Sequence, residues 1–315
     1  MPGERWLTIL MNRINPALFS AAFADWVRES RPDKAGLVAI AGQDIAPQPR
    51  PQCRRAAAAP RLRLRHHRKA GAGAKQAVPD KASELAAIPL LLERLGADDG
   101  LRGALVSIDA IATNAAIAEA ITAQGADDLL AVKANQPTLR AEVEAAFAEA
   151  ADRLVSRIVS HVDLDKGHGR IEQRRMSVLR ETDWLAGDRR FPGELRLPGA
   201  VCLLRAQTTV ETRGTTRTET RTFIASRALT APDAATAVRE HWAIENRLHW
   251  VLDVTFGDDI SRLRKGHGAR NMTTVRHFAI NLVRANSEKG SIKSRRKRAG
   301  WSPQYLQRIL ASPVE

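Results

Sequence analysis

A chain of 315 residues, 44% of them hydrophobic, has room for one large domain or two ordinary ones and can bury a sizeable core. It contains no run of eighteen apolar residues, Met1 to Leu10 has neither a basic n-region nor a small-residue cleavage site, and Cys53 and Cys202 stand too far apart for a zinc finger or a disulfide framework. A helical membrane span, a secretory signal and a cysteine-stapled fold are therefore excluded, a cytoplasmic location is expected, and the net charge of +14 fits a polyanionic partner.

Trp6, Ile9, Leu10, Ile14, Phe19, Phe23 and Trp26 recur at helical spacing, with a break at Asn15-Pro16, so residues 5–29 are expected to be helical. Leu37-Val38-Ala39-Ile40 reads as a short buried strand. Between 41 and 75 the pattern changes: Arg, Ala, Pro, Gln and His dominate, with nine Lys/Arg against one acid, Asp44. Neither helical nor strand periodicity persists there, and a basic linker is the plain reading.

Order returns at Glu84, where Leu85, Ile88, Leu91, Leu92 and Leu95 mark one helix face. Ala104-Leu105-Val106-Ser107-Ile108 is a buried strand ending at Asp109, and a helix over Ala115–Ala123 closes at Gly125. Leu129-Leu130-Ala131-Val132-Lys133 is the next strand, and Leu139–Ile158 the next helix. Residues 159–230 are strand-rich and look like an insertion; helices over Ala234–Val251 and Met272–Ala285 follow. Strands alternating with helices give an α/β core. Between Arg284 and Arg308 eight Lys/Arg stand against one acid, Glu288, as in a solvated basic tail.

Four places could carry chemistry. Asp109, an acid closing an apolar strand, is either a cap or turn residue or a carboxylate at the active edge of the sheet. On a helix, His241, Glu245 and His249 would share one face that could hold a metal or a phosphate, although Trp242 occupies the position where a zincin has Glu. Lys166-Gly167-His168-Gly169-Arg170-Ile171-Glu172 is a turn, or a glycine-flanked phosphate contact through His168 and Arg170. Lys133-Ala134-Asn135-Gln136-Pro137 either contacts a nucleic-acid backbone or merely turns the chain.

Four motifs occur in one order: Ser107-Ile108-Asp109-Ala110, Leu130-Ala131-Val132-Lys133-Ala134-Asn135-Gln136, Gly167-His168-Gly169-Arg170-Ile171-Glu172, and His241-Trp242-x-Ile244-Glu245-Asn246-x-Leu248-His249-Trp250 running on to Val254. With Arg262-x-Arg264-Lys265-Gly266 and Lys297-Arg298-Ala299-Gly300-Trp301, this order resembles the H-repeat-associated (ISAs-type) insertion-sequence transposases of the two-aspartate, one-glutamate (DDE) class. The likeness runs from about Val78 to the C-terminus, plus residues 4–40.

That resemblance implies a ribonuclease-H-like fold: a mixed sheet with flanking helices and a strand-rich insertion. It implies DNA cleavage and strand transfer at insertion-sequence ends, with three carboxylates holding two Mg²⁺ (or Mn²⁺) ions that clamp the attacking and leaving oxygens. Asp109 matches the second carboxylate and Glu245 the third, 136 residues on; both are expected as catalytic and metal-binding residues. Double-stranded DNA and a homo-oligomer are the implied partners. The DNA contacts would come from Lys133, Asn135, His168, Arg170, His241, Arg262, Arg264 and Lys265, and from Lys293, Arg295, Arg296, Lys297 and Arg298 of the tail.

The chain departs from the pattern at the first carboxylate. Where the family has a sequence of the type Val-Ala-Ile-Asp-Gly-Lys, this chain has Val38-Ala39-Ile40-Ala41-Gly42-Gln43, with Ala41 in the position of the Asp. The anomalous stretch starts at the same place, which points to a shifted reading frame. Gln43–Pro49 can be encoded so that reading one base later gives Lys-Thr-Ser-Arg-Arg-Ser, and Ala59–His67 and His67–Gly73 so that they give strand-like sequences. On that reading residues 41–75 lack the two strands that flank the first one, the +8 they carry is no evidence for DNA binding, and the chain is defective in cleavage. Residues 1–36 then form a truncated helical segment, 37–285 the transposase domain with 159–230 inserted, and 286–315 the basic tail. The alternatives are a non-catalytic DNA-binding relic and a stand-alone nuclease of the same fold.

Overall fold

The computed structural model describes residues 3–30, 36–43, 61–66, 75–77, 81–153, 157–167, 169–192, 194–212, 214–244, 248, 250–258, 260–263, 265–286 and 288–311. Two helices open the chain, α1 (Glu4–Arg13) and α2 (Pro16–Ser30). They part where expected: the Asn15 side chain accepts hydrogen bonds from the N–H groups of Ala17 and Leu18 at the start of α2, and Pro16 has no N–H to lose there.

Nine strands among the described residues form one mixed sheet. In chain order they are β1 (Leu37–Gln43), β2 (Arg61–His66), β3 (Lys75–Ala77), β4 (Leu105–Ile108), β5 (Asp127–Val132), β6 (Val159–Gly167), β7 (Arg170–Leu179), β8 (Cys202–Thr212) and β9 (Thr215–Ala225). Their spatial order is β3-β2-β1-β4-β5-β9-β8-β7-β6. At its centre β1, β4 and β5 run parallel, with Ile40 opposite Ile108 and Ile108 opposite Leu130. The strand-rich block is an insertion in the chain but a continuation of the sheet, because β9 pairs antiparallel with β5.

The central strands are buried on both faces, as parallel strands require. Successive residues of β5 alternate between two cores. Leu130 and Val132 join Ile40, Ile108 and Leu203 beneath three helices: α3 (Lys81–Gly96), α4 (Ala115–Ala123) and α5 (Pro137–Asp152), the last inserting the fully buried Phe147. Leu129 and Ala131 join Leu105, Phe223 and Val178 beneath α6 (Ala231–Ile244). The period of two therefore places α3–α5 on one face and α6 on the other.

One expectation is corrected. Residues 41–75 do contain paired strands: β2 lies antiparallel along the whole of Val38–Gln43, and β3 pairs with β2. The physical reason is in Arg61-Leu62-Arg63-Leu64-Arg65, where leucine and arginine alternate with the period of a strand, a pattern masked by the overall arginine content. The first-strand neighbours are thus present, although 44–60 and 67–74 lie outside the described residues.

From α7 onward the chain forms a helical cluster. α7 (Gly268–Ala285) packs on α1 and α2, with Phe278 edge-on to Phe23 and Trp26 at ring separations of 5.5 and 4.7 Å. The expected tail is folded into α8 (Ile292–Trp301) and α9 (Pro303–Ala311), anchored by the buried Tyr305 and Ile309 against Leu282. No helix among the described residues is long and apolar enough to cross a membrane.

Asn271 ties the first helices to this cluster. It is buried on α7, and its amide donates to the carbonyl oxygens of Met11 (2.8 Å) and Ile14 (2.9 Å), two acceptors left over where α1 ends. Asn271→Ala should cost about 1–3 kcal/mol, as expected for buried acceptors that lose their donor. The check is amide hydrogen exchange, which should accelerate across Glu4–Arg13; unchanged exchange there would show that α1 is held by other contacts.

Candidate active site

The carboxyl ends of the parallel strands gather the polar residues. Asp109 follows β4 and caps a short 3-10 turn over Ala110–Ala112, accepting from the Ala110 N–H at 2.8 Å. The structure thus shows Asp109 as the cap of that turn, at the carboxyl end of a parallel strand. Its Oδ1 also accepts from Lys133 Nζ, just beyond the end of β5, at 2.6 Å, in an ion pair that is 46% exposed on the lysine and 40% on the aspartate. Burial raises the Asp109 pKa, but the Lys133 and Ala110 hydrogen bonds and the nearby positive charge outweigh it, leaving the carboxyl below its ordinary value of 3.8.

The motif Leu130–Gln136 is what closes this edge. Thr113 Oγ1 donates to the Ala131 carbonyl at 2.8 Å, Asn135 Nδ2 to the Ala110 carbonyl at 2.9 Å, and Gln136 Nε2 to the Thr113 carbonyl at 2.5 Å. The loops after β4 and β5 are thereby sewn together around Asp109, and Asn135 acts inside this seam. His241, at the end of α6, is buried, and its Nδ1 lies 2.9 Å from Ser107 Oγ on β4. That placement suits a strut behind Asp109 and not a surface contact to phosphate. The signal for Ser107 was its polarity within an otherwise apolar strand. Beside Lys133, a cavity of about 230 Å³ is lined by Val132, Arg140, Arg221, Thr222 and Trp242. The Arg221 guanidinium sits 3.8 Å from the Trp242 ring centre, and Lys133 Nζ 5.4 Å from it.

The remaining expected residues are dispersed. Arg170 stands at the tip of the β6–β7 hairpin, where Gly169 adopts φ +72° for the turn, and it pairs with Glu172, which Arg174 also holds at 2.7 Å. Arg262 and Lys265 are exposed on the segment before α7. Lys293, Arg295, Arg296, Lys297 and Arg298 all lie on α8. Glu245, His168 and Arg264 lie outside the described residues, as does His249, so the face expected to unite His241, Glu245 and His249 is not seen.

Position 41 is seen. Ile40 is opposite Ile108 in the last pair of the parallel β1–β4 register; Ala41 continues β1, and Asp109 is the first residue after β4. The register partner of Ala41 on its other side, Arg63 of β2, brings no carboxylate either.

Residues 73–282 match the family model described as a transposase DDE domain. Across 99% of its length the chain is 30% identical to the H repeat-associated protein YhhI and 32% identical to protein YbfL, both of Escherichia coli strain K12, and it covers 81% of each. A 34% identity over 61% of the chain, and 63% of the relative, links it to a protein encoded in the dhlA 3′ region of Xanthobacter autotrophicus. The chain belongs to the DDE transposase family. Its mixed sheet with helices on both faces is consistent with the ribonuclease-H-like fold of that family. The domain match begins at residue 73, beyond position 41 and most of the arginine-rich stretch.

DDE transposases use divalent metal ions, and the described residues do not fit a two-ion site. Ala41 supplies no ligand, the Lys133 ammonium already neutralises one oxygen of Asp109, and no group of three His, Cys, Asp or Glu suited to an ion occurs among the described residues.

The ion pair makes a prediction about titration. Asp109 should titrate below 3.8 in the unmodified chain and higher in Lys133→Met, where the burial penalty stays and the main counter-charge is gone. Because the folded value lies below the unfolded one, the pair's stabilisation is complete above about pH 4 and is lost as pH falls through the folded value. Solvent screening keeps it small at this exposure. Carboxyl-carbon NMR gives the midpoint directly; an unmoved midpoint in Lys133→Met would mean that the lysine does not set it.

Proposed function

We propose that this chain is a DNA transposase derivative that retains the family's fold and its binding to double-stranded DNA at insertion-sequence ends but does not cleave. Asp109 and Glu245 are the second and third carboxylates of this reading, and Ala41 stands in place of the first. The observation that supports it is the pairing of Ile40 with Ile108, from which we infer that the residues that follow, Ala41 and Asp109, lie side by side. A carboxylate at 41 would share ions with Asp109; a methyl group cannot.

The energetics follow from the charges. Two divalent ions close enough to clamp one phosphoryl group need several carboxylate oxygens to offset their repulsion. Among the described groups Lys133 pairs with Asp109, and the two carboxylates of the adjoining cavity, Glu144 and Glu219, are paired with Arg140 and Arg221. The balance resembles a neutral, hydrogen-bonded corner more than a cation site. Removing Asp109 would then release Lys133 without abolishing any reaction.

The presence of β2 and β3 changes what repair requires. With β2 paired to β1 and β3 to β2, a single substitution at 41 has a framework to sit on. Ala41→Asp should tighten Mn²⁺ binding on the order of tenfold, about 1.4 kcal/mol, over the unmodified chain, read by the electron paramagnetic resonance of free Mn²⁺. The unmodified chain should bind a labelled insertion-sequence end in Mg²⁺ or Mn²⁺ and leave it intact. Metal-dependent cleavage by the unmodified chain, abolished by Asp109→Ala, would overturn the proposal.

A further inference from the structure

The basic residues near the C-terminus are not one patch. The structure divides them by function along α8. Ile292, Arg295 and Ala299, spaced three and four residues apart, face the protein: Ile292 packs beside Leu248, Val251 and Leu252, and Ala299 beside Leu282 and Tyr305. Arg295 Nη1 donates to the Asn286 carbonyl at 2.5 Å, closing the loop that leads from α7 into α8. Arg298 pairs with Glu288 at 2.8 Å and lies 4.4 Å from the Tyr305 ring centre, and Arg308 of α9 meets the same two partners at 3.3 and 5.6 Å. These arginines are spent on holding α8 and α9 in place.

The other side of the helix is different. Lys293, Arg296, Lys297 and Trp301 recur at intervals of three, four and eight, which puts them on one stripe, and all four are exposed, Trp301 by 78%. Among the described residues no carboxylate lies within ion-pair distance of these three cations; Arg296 rests instead at 5.3 Å from the Phe256 ring centre. The stripe is thus a row of uncompensated positive charge ending in an aromatic ring, on a helix fixed by its opposite face.

We infer that this stripe of α8 is a docking surface for the phosphate backbone of double-stranded DNA, separate from the Asp109 edge, with Trp301 adding a non-ionic contact at its end. The inference rests on the DNA-binding reading above and names where that binding occurs. Charge complementarity supports it: phosphates gain from unpaired lysine and arginine through counterion release, whereas cations already paired with carboxylates add little. An anionic membrane is the less fitting occupant, because Trp301 is the one large apolar residue that α8 exposes, and interfacial helices bury a broad apolar face.

The test measures binding of the full chain to a duplex carrying an insertion-sequence end as salt is varied. The triple variant Lys293→Gln, Arg296→Gln, Lys297→Gln should flatten the slope of log affinity against log salt by about 2–3, at roughly 0.9 for each phosphate that is no longer neutralised. Trp301→Ala should weaken binding by the same factor at every salt concentration. Arg295→Gln and Arg298→Gln should lower the melting temperature and leave the slope unchanged. An unchanged slope in the triple variant, while the unmodified chain binds the duplex, would overturn this inference and leave the proposed function standing. No duplex binding by the unmodified chain at low salt, including binding only to phosphatidylserine vesicles, would overturn both.

Discussion

Parallel pairing between β1 and β4 is the contact on which the rest of the molecule depends. Parallel strands bury both faces, so the apolar runs Leu37–Ile40 and Leu105–Ile108 have to be covered by helices on either side. That requirement brings α3, α4 and α5 to one face and α6 to the other, and leaves the carboxyl ends of β1, β4 and β5 as the place where polar side chains can emerge. The extension through β9, β8, β7 and β6 hangs on β5 and leaves that edge open. Asp109 and Lys133 meet because the parallel strands β4 and β5 end close together, while β1 runs on past that edge along β2 to Gln43.

The edge is electrostatically self-contained. Lys133 answers Asp109, and the amides of Asn135 and Gln136 answer carbonyls that the turn after Asp109 leaves exposed. His241 reaches β4 from the other face through Ser107, so a helix on one layer is bonded to the strand that presents Asp109. Of the residues that look like nucleic-acid contacts in a linear motif, His241 is therefore an interior fastener, while the exposed Lys133 and Asn135 bond to Asp109 and the turn after it. Surface cations free to meet a polyanion lie on α8, on a different part of the chain.

Much of this was legible in the residues. Continuous apolar runs marked β4 and β5, Gly125 marked the end of α4, and Asn15-Pro16 marked the α1–α2 break, because each depends on local chemistry alone. Asp109 was legible as an acid closing a buried strand. Three things were not. The strand β2 was hidden because composition over a long window outweighed a five-residue alternation of Arg and Leu. The folded state of residues 288–311 was hidden because Tyr305 and Ile309, too few to stand out beside seven cations, find their partner in Leu282, more than twenty residues earlier. The division between structural and free arginines on α8 was hidden because a helical stripe becomes meaningful only when it is known which side packs. The family resemblance named positions, but the Lys133–Asp109 bond belongs to the tertiary structure.

The central claim is that Ala41 stands beside Asp109, where a second carboxylate would be needed for a cation site. Disulfide trapping tests that placement without reference to activity. A chain carrying Ala41→Cys and Asp109→Cys, with Cys53 and Cys202 replaced by Ser, should cross-link on mild oxidation, since neighbouring residues on paired strands fall within the roughly 4.4–6.8 Å Cα separation a disulfide spans. A control with cysteines at 43 and 109, two residues out of register, should remain reduced. Efficient cross-linking of the control together with none in the first pair would place another residue beside Asp109 and contradict the account.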